Sequence, residues 1–188
     1  MAIKKIIFLI LLIFPSFCLA TSWQIISNKS SIHFSATQNN SPITGEFKNF
    51  SGDIEFDPNQ LSKSHIKIIV DIDSVATSFK DVQDALKTAD WFDVASFPKA
   101  TFSADDFKKT GDDTYAANGK LTLRNKTMPI TLNFKLIKYT DNEAMISGKT
   151  ELKRSDFDVG KGEWSSTKQI KNEVVVNFEI EAQKNDAK

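Results

Sequence analysis

Tyr115-Ala116-Ala117-Asn118-Gly119-Lys120-Leu121-Thr122-Leu123 turns at Asn125-Lys126 and returns as Ile130-Thr131-Leu132-Asn133-Phe134-Lys135-Leu136. Tyr115, Ala117, Gly119, Leu121 and Leu123 fall on one face of the first run. Ile130, Leu132, Phe134 and Leu136 fall on one face of the second. A period of two with one apolar face marks a half-buried antiparallel hairpin. The pattern continues outward in both directions. Towards the C-terminus, an Asp141-Asn142 turn leads to Ile146, Gly148, Thr150 and Leu152, and a last strand carries Val174, Val176, Phe178, Ile180 and Ala182. Towards the N-terminus, a Gly111-Asp112-Asp113 turn precedes Tyr115, and a strand from Lys99 to Phe107 presents Ala100, Phe102 and Ala104. Before it, His65 to Asp73 places Ile66, Ile68, Val70 and Ile72 on one face.

Further back, the segment from Ile43 to Asp57 is long. Ile43, Gly45 and Phe47 occupy odd positions, and Phe50, Ile54 and Phe56 occupy even ones. A phase flip inside one strand predicts a β-bulge, which bends a strand round a barrel corner. Ser31 to Thr37 directs Ile32, Phe34 and Ala36 inward, and Ser22 to Ile26 is a short opening strand. Counted from Ser31 there are eight strands, nearly all joined by tight turns. The expected fold is all-β, an eight-stranded antiparallel up-and-down barrel of lipocalin-like form, whose closure removes exposed edges. A β-sandwich shares the alternation; the long segment 43–57 and the absence of a Greek-key crossover favour the barrel.

One region breaks the period. Val82, Ala85, Leu86 and Ala89 recur at helical spacing, which predicts a short amphipathic helix over Asp81 to Ala89. Asp90 to Phe102 then packs Trp91, Phe92, Phe97 and Phe102 around Pro98, so it is not one helix. We read it as a connection closing one end of the barrel. Phe92 and Phe97 are expected to reach the lumen as a lid, with Trp91 packed on the rim.

The N-terminus reads differently. Lys4 and Lys5 precede an apolar run from Ile6 to Phe14, and Cys18-Leu19-Ala20 supplies small residues at the exit. This is a secretory signal peptide, residues 1–20, cleaved after Ala20. The run is short for a transmembrane anchor. Cys18 raises a lipoprotein reading, against which stands the bulky Phe17 before it. A periplasmic protein is expected. The domain then spans residues 21–183, and residues 184–188 form a polar tail. The 24 basic residues less Lys4 and Lys5 leave 22 against 24 acidic, a net charge of −2. That balance offers no electrostatic footprint for nucleic acid.

No catalytic or metal constellation stands out. His33 and His65 are separated and alternate with apolar neighbours, so they face outward; metal sites need clustered ligands. Asp53, Glu55, Asp57, Asp71 and Asp73 lie on a polar face. No Gly-x-Ser-x-Gly elbow, phosphate loop or dinucleotide fingerprint is present. We therefore expect no catalytic residue, no metal and no cofactor, and a protein that is not an enzyme.

Several stretches together resemble the YceI-like family, whose fold is similar to the lipocalins. They are Trp23, Ser31-Ile32-His33-Phe34, Gly45-Glu46-Phe47 and Phe56-Asp57, then Ile72-Asp73-Ser74-Val75-Ala76-Thr77. Trp91-Phe92-Asp93-Val94 with Phe97-Pro98-Lys99-Ala100-Thr101-Phe102 is the most recognisable. Gly119-Lys120-Leu121-Thr122-Leu123-Arg124 with Thr127 and Pro129, Arg154-Ser155-Asp156-Phe157 and Asn172-Glu173-Val174 complete the set. Two departures are Asn125 and Asp158, where the family usually has glycine. Asn125 tolerates a left-handed backbone, so its turn survives; Asp158 puts the rim in doubt.

The resemblance implies an exported barrel holding a long apolar molecule, a polyisoprenoid or a quinone tail, for transport or storage. It also suggests homodimers and traffic with membrane cytochromes. The interior pattern agrees with a ligand: Gly45, Gly52, Ala104, Ala117, Gly119, Gly148 and Ala182 are small and leave volume. The alternative is that they fit the barrel taper and the Phe rings fill the lumen. The wall positions expected against ligand are Phe34, Phe47, Phe50, Ile54, Phe56, Val70, Ile72, Phe102, Leu121, Phe134, Ile146 and Phe178. The end is expected to add Phe92, Phe97, Arg154, Phe157 and Trp164. Arg154 is either a head-group contact or half of an ion pair with Asp156 that fixes the loop. Other functions weighed are a stress-related scavenger of apolar toxins and an enzyme acting on a quinone or lipid.

Overall fold

The structure is a computed structural model and describes residues 21–185. The segment read as a signal peptide and residues 186–188 of the tail lie outside the described residues. Eleven strands and one helix follow in order: β1 (Ser22–Ile25), β2 (Ser31–Gln38), β3 (Ser41–Phe47), β4 (Phe50–Glu55), β5 (His65–Asp71), β6 (Val75–Thr77), α1 (Lys80–Lys87), β7 (Lys99–Lys109), β8 (Thr114–Leu123), β9 (Lys126–Tyr139), β10 (Glu143–Lys153) and β11 (Glu173–Lys184). Lys184, placed in the tail by sequence, thus ends β11, where it pairs with Trp23.

All strands belong to one sheet in the order β1-β4-β5-β7-β8-β9-β10-β11-β2-β3-β6, with β1 also paired to β11. The pairings are antiparallel throughout. Three wall positions each hold two strands in tandem: β1 with β2, β3 with β4, and β5 with β6. The eleven strands therefore occupy eight positions of a closed barrel. The ring closes where β1 pairs with β11; β6, at the end of the order, pairs only with β3 among the described strands.

The predicted bulge between Phe47 and Phe50 is instead a break. β3 ends at Phe47 and pairs with β2 and β6; β4 begins at Phe50 and pairs with β5 and β1. Ser74 holds the corner: its carbonyl accepts from Lys48 N at 3.2 Å and its hydroxyl from Asn49 N at 3.0 Å. Side chains can change phase here because two residues leave the ladder. Register shifts do occur elsewhere, at Ala104/Asp106 and Met145/Ile146.

The small interior residues also act differently from expectation. Gly45 pairs with Phe34 and Gly148 with Phe178 across neighbouring strands. A Cβ on Gly148 would sit 2.5 Å from the Phe178 ring, and one on Gly45 2.7 Å from Phe34 Cε1. These glycines are seats for aromatic rings, the pairing known as aromatic rescue. They do not themselves leave volume.

The two barrel ends differ. The β4–β5, β7–β8 and β9–β10 turns share one end, which Trp23, Phe56, Phe107, Tyr115, Phe134 and Tyr139 fill. Phe56 packs against Phe107, Tyr115, Phe134 and Tyr139 at centroid distances of 5.8, 5.6, 5.9 and 6.5 Å. Trp23 Nε1 donates to Phe56 O at 2.9 Å, which satisfies the indole. The other end carries the β2–β3 turn, α1 and its connection to β7, the β8–β9 turn and the long β10–β11 loop.

Candidate ligand-binding site

Two adjoining chambers lie inside the barrel. The upper, about 400 Å³, reaches the end that carries α1. The lower, about 180 Å³, lies above the aromatic floor. Ile32, Val70, Leu121, Leu152 and Val176 line both. The combined space is in the range of small-molecule sites. Apart from Thr150, the lower chamber is lined by apolar side chains.

The alternation of the strands decides most of the lining. Of the expected wall residues, Phe34, Phe47 and Ile72 line the upper chamber, and Ile54, Phe56, Phe102, Phe134, Ile146 and Phe178 the lower. Val70 and Leu121 face both. Phe50 is buried in the core but lines neither chamber.

At the mouth, Phe92, Arg154, Phe157 and Trp164 line the upper chamber. Phe97 does not. Its ring lies 5.7 Å from the Arg124 guanidinium carbon, outside the lining. Trp91, expected on the rim, lines the chamber instead and packs on Trp164 at 5.9 Å. Backbone geometry explains the exchange. The chain after α1 folds back on the helix C-terminus: Phe92 N donates to Leu86 O at 3.0 Å and Asp93 N to Thr88 O at 2.8 Å. Asp93 takes a left-handed φ of 51°, which turns the next residues away. Trp91 and Phe92 point in, and Phe97, beyond the turn, does not. Phe92 meets Phe47 of the wall at 5.8 Å.

The spacing of Val82, Ala85, Leu86 and Ala89 predicts α1. The helix ends at Lys87, and Val82, Ala85 and Leu86 line the upper chamber. Ile170 is a lining residue that periodicity could not find. It stands alone among polar residues of the β10–β11 loop, and its isolated bridge with Gln38 brings it to the mouth.

Arg154 forms no ion pair with Asp156 among the described residues; it lines the mouth and is spent on the backbone of the β10–β11 loop. It is buried, and its guanidinium donates only to backbone carbonyls. Nε reaches Lys171 O at 3.2 Å; Nη1 reaches Val159 O at 3.0 Å and Gly160 O at 2.9 Å. Nη2 reaches Ile170 O at 3.0 Å and Ser166 O at 3.5 Å. All five of its donors are used. Burial pushes its pKa below the ordinary arginine value, and an arginine still stays charged at physiological pH.

Arg124 performs a parallel task. Nη1 donates to Trp91 O at 2.7 Å and Asp158 O at 2.5 Å, tying the aromatic connection to the β10–β11 loop. Asp93 lies 3.8 Å from Nη2. In the β8–β9 turn the left-handed residue is Arg124, at φ 55°, and not Asn125. Asp158 is also left-handed, at φ 56°, a conformation that a short polar side chain tolerates. The Asp158 carboxyl is held below its ordinary value, chiefly by its hydrogen bond from Lys161. Among the described residues, Trp91 Nε1 and Arg124 Nε are buried side-chain nitrogens without a partner.

His33 and His65 are exposed on the outer face. Among the described residues, no group of three or more His, Cys, Asp or Glu could hold a metal ion. No helix among them is long and apolar enough to cross a membrane.

Fold and site together define a class: a closed eight-position antiparallel barrel around an apolar interior, with an aromatic floor and most of its polar lining at the mouth. The chain belongs to the YceI-like family, whose domain model matches residues 23–182. It is 32% identical over 122 residues to Protein YceI of Salmonella arizonae, a match spanning 62% of this chain and 63% of that protein. Among solved structures it is similar to Burkholderia cenocepacia BcnA, with 30% identity, TM-score 0.80 and coverage of 84% of this chain and 98% of that one. A polyisoprenoid binding domain from Saccharophagus degradans shares the fold at TM-score 0.70 with 16% identity, covering 88% and 99% of the two chains.

Proposed function

We propose that this protein is an exported carrier that holds one long isoprenoid-type lipid in its barrel, tail towards the aromatic floor and head at the α1 end. The observation that carries this is the pair of adjoining chambers, closed below by Phe56 and its neighbours and lined almost throughout by apolar side chains. Each ligand methylene buried there contributes about 0.8 kcal/mol, so a chain binds through length and needs few polar contacts. The polyisoprenoid-binding neighbour supports the ligand class. The basic start, apolar run and small-residue exit of residues 1–20 support export.

The test is mass spectrometry of organic extracts from protein purified without detergent. An isoprenoid species co-purifying at a fixed ratio to protein is expected. Recovering no apolar molecule from several preparations, with no binding of added isoprenoids, overturns the proposal.

A further inference from the structure

The rim of the mouth is not uniform. Going round it, the β10–β11 loop adjoins the β2–β3 turn, and that turn adjoins the start of α1, because β11 pairs with β2 and β3 with β6. The loop is clamped on the turn: Asn39 N donates to Gln169 O at 2.8 Å and Lys171 N to Thr37 O at 2.9 Å. Ile170 lines the chamber, while Lys168 and Lys171 on either side of it stand exposed. Neither lysine has an ion pair among the described residues. Lys80, Lys87 and Lys161 are by contrast paired, with Asp84, Asp73 and Asp158. The β2–β3 turn carries no charged residue from Ala36 to Thr44, and Asn39 and Asn40 at its tip are exposed.

At the far end of this arc stands Phe79, immediately before α1. Its ring is 66% exposed, the most exposed large apolar side chain among the described residues. Its backbone is fixed, since Phe79 O accepts from Thr77 Oγ1 at 2.7 Å and from Gln83 N at 3.0 Å. One exposed ring needs no explanation by itself. This one shares an arc with two unpaired cations at the opening of an apolar chamber. The acidic groups lie elsewhere: Asp90, Asp93, Asp158 and Glu163 belong to the opposite arc, about Arg124 and the Trp91–Trp164 pair. α1 itself balances two lysines against two aspartates. Exposed ammonium groups beside an exposed aromatic ring suit an anionic lipid surface, where the ring enters the acyl boundary and the cations meet the phosphates.

We propose that this arc, Phe79 with Lys168 and Lys171, docks the mouth on an anionic phospholipid bilayer, so that cargo passes between membrane and chamber without crossing water. The passage of cargo rests on the carrier reading above; the docking does not. The test is flotation of the protein, exported by its own leader, with vesicles of phosphatidylcholine alone or mixed with phosphatidylglycerol. Stronger binding to the mixed vesicles is expected, weakening as salt rises. Each lysine near an anionic leaflet is worth roughly fivefold in binding. Lys168→Gln with Lys171→Gln should therefore weaken binding to mixed vesicles on the order of twentyfold, and Phe79→Ser should weaken it severalfold. All three side chains are exposed, so Tm and the affinity for geranylgeraniol in solution should not change, whereas transfer of that alcohol to mixed vesicles should slow in parallel with docking. Absence of flotation, equal flotation with the two vesicle types, or flotation unaffected by these substitutions overturns the inference and leaves the carrier reading standing. Sedimentation showing that these residues join two copies of the chain, without flotation, overturns it as well. Flotation as expected with no uptake of geranylgeraniol overturns the carrier reading and leaves the docking.

Discussion

Arg154 lines the cavity and at the same time holds together the loop that walls it. Five carbonyls from residues 159–171 converge on one guanidinium, and no carboxylate is bonded to it. Arg154→Met would leave those carbonyls without their buried donor. Breaking a buried charged network typically costs about 3–5 kcal/mol, which in a domain of this size lowers Tm by roughly 10 °C. Arg154→Lys should recover only part of the loss, since an ammonium has three donors and no planar fork. Thermal denaturation checks both. An Arg154→Met protein that melts normally but releases lipid would restore the head-group role for this residue.

The aromatic connection between α1 and β7 is divided in its work. Trp91 and Phe92 form part of the chamber, whereas Phe97 packs on Arg124 outside it. Phe92 is only partly buried, so its truncation should cost less than the roughly 3–5 kcal/mol of a fully buried Phe. Phe92→Ala is therefore expected to speed dissociation of bound isoprenoid several-fold while the protein stays folded. Phe97→Ala should leave the dissociation rate unchanged. Stopped-flow release into excess vesicles, alongside circular dichroism, separates the two. If Phe92→Ala unfolds the protein, the connection is a core plug and not a lid.

The barrel as a whole depends on its buried floor. Burial is the main cause holding the Tyr115 and Tyr139 phenols above their ordinary value, with Asp113 adding to Tyr115 and Asp57 to Tyr139. An unfolded tyrosine ionises near pH 10. Because the folded values are higher, their contribution to stability is fully present below about pH 10 and is lost as pH rises through the folded values. Lys29, raised chiefly by its hydrogen bond to Glu181, moves stability in the same direction. Tm should therefore stay level to about pH 9.5 and fall above it. Tyr115→Phe should flatten part of that fall; an unchanged slope would show that the floor tyrosines do not govern it.

Alternation made the eight wall positions, their inward faces and most of the chamber lining legible in the sequence, because a strand's side-chain direction is a local, period-two property. The helix was legible through its own period. Three things were not. The seating of Phe34 on Gly45 and Phe178 on Gly148 depends on cross-strand register, so glycines that suggested empty space instead receive rings. The exchange of Trp91 for Phe97 depends on one left-handed residue, Asp93. The fate of Arg154 depends on a loop that brings carbonyls from up to 17 residues away. The sequence alone thus determined which positions face inward. The tertiary structure decided what fills the interior, which aromatics reach it and which mouth groups remain free to bind, because these rest on contacts between residues that no local period connects.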